Sequence, residues 1–172
     1  MTTSMTIGAD TREQFSDLLE RHRGIVLKVA NTYCRAPWDR DDLAQEIITQ
    51  LWTAFPRFDT KRRFSTWMYR VALNVAISYV RNTSLRTRHS VPFDEAVHDT
   101  AVPDPDDDEK ERLTLLYGFI DELDPFNRAL LLLYLDELSY REIADVLGIT
   151  ETNVATKISR LKQRFGRHAG AQ

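Results

Sequence analysis

Asn153, Thr156, Lys157 and Arg160 recur at helical spacing near the end of the chain. Lys162, Arg164 and Arg167 follow, and no acid occurs after Glu151. Cations at that density attract a phosphate backbone, while Asn, Thr and Arg side chains can hydrogen-bond base edges. A second set lies upstream. Lys61, Arg62 and Arg63 precede Phe64, and Arg70, Asn74, Ser78 and Arg81 then share one exposed helix face by their spacing. Positive charge beside Phe64 and Trp67 suits single-stranded or melted DNA, whose bases stack on aromatic rings. Periodicity also admits both rings to the core, and for Trp67 it favours the core. A third set is acidic: Asp39, Asp41, Asp42 and Glu46. A two-metal site there would need further inward carboxylates or histidines. The first helix offers only His22, and His89, His98 and His168 fall in linker or tail. Capping and the helix dipole account for the Asp run more simply, and an exposed Gln45/Glu46 face points to a protein partner. No Gly-rich phosphate loop and no Ser/His/Asp arrangement is present, so neither a metal nor a cofactor is expected.

Helices must carry all three sets. The stretch Leu138 to Arg167 reads as a helix-turn-helix. Ser139 and Glu142 form a capping box, Ile143, Ala144 and Leu147 supply an apolar face, and Gly148 stops the first helix. Thr150 caps a second helix with apolar positions Val154, Ile158, Leu161 and Phe165. Short helix, Gly turn and basic helix together can place side chains in a major groove. The plainer alternative is an αα-hairpin with a solvated basic face. Ahead of it, Asp124-Pro125 opens a helix over Phe126 to Leu135, preceded by Leu113, Leu116, Ile120 and Leu123.

In the N-terminal half the spacing predicts a helix from about Thr11 to Arg35, with Phe15, Leu18, Leu19, His22, Val26, Val29 and Tyr33 inward and Pro37 beyond its end. Asp39 is expected to cap a second helix with the stripe Leu43, Ile47, Leu51 and Trp52, running toward Phe55 and broken at Pro56. Arg57 to Arg63 reads as a basic loop. A third helix follows from about Phe64 to Arg81, with Trp67, Met68, Val71, Ala72, Val75 and Tyr79 as core positions.

Charge is partitioned more sharply than the net of −3 suggests. Seven basic residues and no acid lie between Thr60 and Phe93, whereas Asp94 to Glu111 holds one Lys against nine carboxylates. Two basic surfaces flanking a segment that DNA repels are expected. The fold class is all-α: two small helical domains joined by an acidic flexible linker, with residues 1–90, 91–112 and 113–172 as the three parts. The apolar run Ala129 to Leu135 is too short to span a bilayer, and the polar N-terminus lacks a signal pattern. Cys34 is the only cysteine, which excludes an intramolecular disulfide and a cysteine zinc cluster. A cytoplasmic protein without membrane insertion is expected.

Two segments resemble one family. Asp41 to Trp52 (DDLAQEIITQLW), continued by Phe55 to Asn82, looks like region 2 of a bacterial sigma factor, and Leu123 to Phe165 resembles region 4. With nothing long between them and no large N-terminal extension, the pair is similar to the small extracytoplasmic-function (ECF) group of the sigma-70 family. The resemblance implies a non-enzymatic initiation factor that binds core RNA polymerase and directs it to promoter DNA. The helix with Asp41, Asp42, Gln45, Glu46 and Gln50 would dock on the clamp of the largest subunit, and region 4 would meet the flap of the second-largest. Lys61, Arg62, Arg63, Phe64, Arg70, Asn74, Ser78 and Arg81 would recognise and hold open the −10 element, with Asn74 on the non-template strand. Tyr140, Arg141, Thr152, Asn153, Thr156, Lys157, Arg160, Lys162 and Arg164 would serve the −35 element. The linker would thread toward the active-site channel and RNA exit path. An inhibitory anti-sigma partner is common in such a family.

The chain also departs from that family's pattern. Ser78 stands where an Asp is common, Leu73 where an Arg is often found, and Asn153 to Lys157 (NVATK) replaces a more usual Thr-Val-Lys-Ser-Arg. Ala155 removes a cation and cannot make a base contact worth about 1–3 kcal/mol of discrimination. Three other readings remain. A conventional helix-turn-helix regulator would bind duplex DNA without polymerase, a nuclease would cleave DNA with a metal, and a polymerase adaptor would lack promoter selectivity.

Overall fold

The computed structural model describes residues 3–87 and 106–171, and among these every regular element is helical. The expected linker sequence up to Pro105 lies outside the described residues. The chain divides into two compact units, Met1–Arg81 and Asn82–Gln172.

Unit 1 is built from α1 (Thr3–Tyr33), α2 (Pro37–Ala54), a 3-10 turn over Phe55–Arg57, and α3 (Phe64–Thr87), which continues past the unit's boundary at Arg81. The first helix starts eight residues before the sequence suggested and ends two earlier. Pro37 does not merely follow it: it is the first residue of α2, where its missing N–H costs nothing. Asp39 is therefore inside the first turn, and Ala36 is the N-cap, with no side-chain cap. The Asp39 carboxylate instead lies close enough to the Tyr79 hydroxyl on α3 to perturb it. Burial, then Asp39, Cys34 and Asp42, pushes that phenol above its ordinary 10.0.

The core of unit 1 joins Val26, Val29 and Ala30 of α1 to Leu43, Ile47 and Leu51 of α2 and to Met68, Ala72, Leu73 and Ala76 of α3. On α3 the buried face is rotated from the expected one. Tyr69, Leu73 and Ala76 are buried, while Trp67, Val71, Val75 and Tyr79 are half-buried. The helix is apolar over most of its circumference, so periodicity could not say which apolar stripe meets its neighbours. Trp52 is also corrected: it is 41% exposed, with its edge against Phe15 at 5.2 Å between centroids.

Unit 2 contains α4 (Asp107–Glu122), α5 (Pro125–Leu135), α6 (Tyr140–Leu147) and α7 (Glu151–Gly170). The last residues of the expected linker are thus helical. Asp106 caps α4, and Asp107, Asp108 and Glu109 occupy its first turn, where the helix dipole favours carboxylates. Each later boundary is written locally. Asp124 accepts from the Phe126 and Asn127 N–H groups, both at 3.1 Å, and Asn127 also donates its side-chain amide. Arg128 reaches back, donating from Nε to the Ile120 carbonyl and from Nη2 to that of Asp121, each at 3.1 Å, which ties α5 to the end of α4. At the end of α5 the N–H of Leu138 bonds the Leu133 carbonyl and that of Glu137 the Tyr134 carbonyl. This is a Schellman closure with Glu137 in the left-handed region at φ 59.

Candidate nucleic-acid interface

The helix-turn-helix has the expected chemistry. Ser139 Oγ accepts from the Glu142 N–H at 3.2 Å, and Glu142 Oε2 accepts from the Ser139 N–H at 2.9 Å. Gly148 sits at φ +69, and Thr150 Oγ1 accepts from the Asn153 N–H at 3.1 Å. These bonds fix where α6 stops and α7 starts. Ile143, Ala144 and Val146 of α6 are buried with Val154, Ile158 and Leu161 of α7, and Ala129, Leu130 and Leu133 of α5 complete the unit's centre. Phe165 is half-buried, its ring 5.3 Å from Phe119 on α4.

Packing then decides which polar residues of α7 remain outward. Thr152, Asn153, Thr156 and Arg160 are exposed, and Gln163, passed over in the sequence, joins the same row seven residues after Thr156. Three cations grouped with them lie beside aromatic rings, although Lys162 and Arg164 are exposed too and Lys157 is half-buried. Lys157 Nζ lies 5.4 Å from the Phe126 ring centroid, Lys162 Nζ 4.7 Å from that of Tyr134, and the Arg164 guanidinium 5.9 Å from that of Phe119. Interaction with the Tyr134 hydroxyl raises the Lys162 pKa above its ordinary 10.5, and desolvation opposes it. Tyr140 and Arg141, at the start of α6, are exposed. His168 is not in a loose tail. It belongs to α7, with Nδ1 3.5 Å from Glu122 Oε1, its ring 5.7 Å from that of Phe119, and Nε2 buried without a hydrogen-bond partner.

In unit 1, Arg70, Asn74, Ser78 and Arg81 are all exposed along α3, as their spacing required. Lys61, Arg62 and Arg63 are exposed in the loop before it. Asp59 shapes that loop, accepting the Lys61 N–H on its side chain at 3.0 Å and the Arg62 N–H on its carbonyl at 2.9 Å. Phe64, expected to stack on bases, is instead 8% exposed inside an aromatic cluster. Its ring lies 5.5 Å from Phe58, 5.3 Å from Trp67 and 5.4 Å from His22. Phe58, read as part of a basic loop, stacks on Phe55 at 6.2 Å. The cluster anchors both ends of the basic loop, so Phe64 packs beneath the cations and does not stand out among them. Trp67 keeps partial exposure within it.

The acidic face of α2 is separate. Asp41, Asp42, Gln45, Glu46 and Gln50 are exposed, and Gln50 Nε2 donates to Glu46 Oε1 at 3.0 Å. Trp38, which the sequence reading missed, is 68% exposed and lies four and seven residues before Asp42 and Gln45, hence on their row. Among the described residues no cluster of three or more His, Cys, Asp or Glu side chains could hold a metal ion. Nor is any helix there long and apolar enough to cross a membrane.

One unit with a basic loop feeding a polar helix face, and another built as a helix-turn-helix, define a two-part DNA-binding protein. Comparison with known proteins makes that class specific. Residues 18–86 match the model for sigma-70 region 2, and residues 113–165 match that for sigma-70 region 4. The chain is 30% identical over 126 residues to the ECF RNA polymerase sigma factor SigM of Bacillus subtilis, covering 73% of this chain and 76% of SigM. It is 26% identical over 159 residues to SigW of the same organism, covering 87% and 85%. Among solved structures it is similar to CnrH in complex with the cytosolic domain of CnrY, with TM-score 0.67, 21% identity and coverage of 94% and 90%. It is also similar to the sigma factor RpoE in complex with the anti-sigma factor NepR from Bartonella quintana, with TM-score 0.68, 17% identity and coverage of 94% and 97%. The chain belongs to the ECF group of the sigma-70 family. It is a transcription initiation factor that binds core RNA polymerase and directs it to promoters.

Proposed function

We propose that the three exposed rows divide the work of initiation. The α2 row, Asp41, Asp42, Gln45, Glu46 and Gln50 with Trp38 at its head, docks on the clamp of the polymerase's largest subunit. Unit 2 meets the flap of the second-largest. The row Arg70, Asn74, Ser78 and Arg81, with Lys61, Arg62 and Arg63, holds the displaced strand of the −10 element. Asn74 reads a base that has left the stack, a step costing a few kcal/mol that the backbone contacts help offset. Helix α7 enters the major groove of the −35 element with Thr152, Asn153, Thr156 and Arg160, while Tyr140 and Arg141 meet the adjoining backbone. Ala155, exposed and without a polar group, leaves base readout to its neighbours.

The observation that carries this reading is the separation of an acidic row and a basic row on different helices of one unit. Protein and nucleic acid can then be bound at once. The factor acts in the cytoplasm, without catalysis or a resident cofactor of its own. A protein inhibitor of the anti-sigma kind is a further proposed partner, supported by the similarity to RpoE, which was solved with one.

Run-off transcription with purified bacterial core polymerase on genomic fragments tests the proposal. The expected result is discrete transcripts from a small set of fragments only when the chain is added. Duplex binding without any association with polymerase would favour a conventional helix-turn-helix regulator and overturn it.

A further inference from the structure

Lys157 and Lys162 occupy the two flanks of the buried α7 stripe. Lys157 lies three residues after Val154 and four before Leu161, while Lys162 directly follows Leu161 and lies four after Ile158. Each therefore stands beside the seam by which α7 meets the rest of its unit, on opposite sides. Both ammonium groups are over rings of a single helix. Lys157 covers Phe126 near the start of α5, and Lys162 covers Tyr134 near its end, at 5.4 and 4.7 Å from the ring centroids. Both distances fall within the roughly 6 Å over which a cation is attracted to an aromatic face. Lys162 is exposed beside its ring, and Lys157 is half-buried beside its own.

We infer that Lys157 and Lys162 are positioning residues that set the rotation of α7 about its own axis on α5, and are not phosphate ligands. Val154, Ile158 and Leu161 fix which face of α7 is buried, but apolar contacts are non-directional and constrain the last few degrees of rotation less than directional ones do. Two directional contacts on opposite flanks resist rotation either way. The row they aim is Thr152, Asn153, Thr156 and Arg160, so the lysines govern base discrimination through residues they do not touch. The basic residues of α7 thus separate by role, although they are indistinguishable by type. This inference rests on the proposed major-groove role of α7, while the contacts themselves are testable without it.

The contact is tested on the free full-length chain by thermal unfolding of Lys162→Met, Tyr134→Leu and the double variant. Coupled lysine and ring predict that the two shifts are not additive, and additive shifts would overturn the contact whether or not polymerase binds. The role is tested in the holoenzyme on a promoter fragment recovered by run-off transcription, with an upstream-element transversion as competitor. Each phosphate contact contributes roughly 0.9 to the slope of log K against log salt. Lys162→Met and Lys157→Met are expected to leave that slope unchanged, while discrimination against the transversion falls roughly five-fold. Lys162→Arg, which keeps a cation able to stack on the ring, should restore it. Arg141→Ala, at a residue proposed to meet the backbone, should lower the slope by roughly 0.9 in the same assay. A comparable loss of slope in the lysine variants, with discrimination intact, would make them ordinary backbone contacts and overturn the inference.

Discussion

The two units meet DNA with similar chemistry on supports of opposite kinds. In unit 2, side chains within three residues of each boundary start α5, α6 and α7, through Asp124, Ser139 with Glu142, and Thr150. In unit 1, α2 begins without any side-chain cap, and the basic loop is held by rings drawn from several elements. One reading surface is punctuated locally and the other is held by long-range packing. The first is therefore sensitive to single residues at turns, the second to loss of a shared core.

The largest test of that contrast removes core volume. Leu130 is fully buried in unit 2, and Leu130→Ala should cost about 2–5 kcal/mol. Calorimetry should show a lower transition for unit 2 and an unchanged one for unit 1. Equal displacement of both would mean that the units fold as one. Next come the two reading rows. Arg160→Ala should weaken binding of the upstream element by about 1–3 kcal/mol while leaving polymerase association intact. Asn74→Ala should reduce permanganate-reactive open complex more than initial docking. If both variants impaired docking alike, the division of roles between the units would fail.

Smaller effects probe the local punctuation. Two helices of unit 2 end through a left-handed residue, but α6 uses Gly148 and α5 uses Glu137. A side chain in that conformation costs about 1–2 kcal/mol. Gly148→Ala should therefore destabilise by about 1 kcal/mol and Glu137→Gly should stabilise by somewhat less, since glycine also gains freedom in the unfolded chain. Urea titrations would read both, and matching signs would refute the account. The smallest effect is on pH. Burial raises the Asp124 pKa, but the hydrogen bonds from Asn127 and Phe126 outweigh it, and the net shift is below the ordinary 3.8. A carboxylate whose folded pKa is depressed stabilises the fold above the unfolded value and loses that contribution as pH falls through the folded one. Asp124→Ala should cost about 0.5–1 kcal/mol at neutral pH and almost nothing in strong acid. A difference independent of pH would remove the carboxylate from the cap.

Local rules reached far in this chain. Ser139, Glu142, Gly148, Thr150 and Asp124 each act on backbone groups within four residues, so their roles could be read without any tertiary knowledge. The row from Arg70 to Arg81 was equally legible, because helix periodicity alone places those residues on one face and their polarity keeps it outward. Both family segments rest on such local patterns. What stayed hidden depends on which helix meets which. Asp39 looked like a cap until Tyr79 from α3 reached it. Phe64 looked like a base platform until Phe58 and His22 enclosed it, and His168 looked like tail until α7 extended past Phe119.

The identities of the helices, their ends and their polar rows were present in the order of residues, since each follows from interactions spanning one turn. Only the folded arrangement decided where individual rings and cations point. A Lys carries the same charge whether it faces phosphate or an aromatic ring, and contacts between distant positions determine which one it meets.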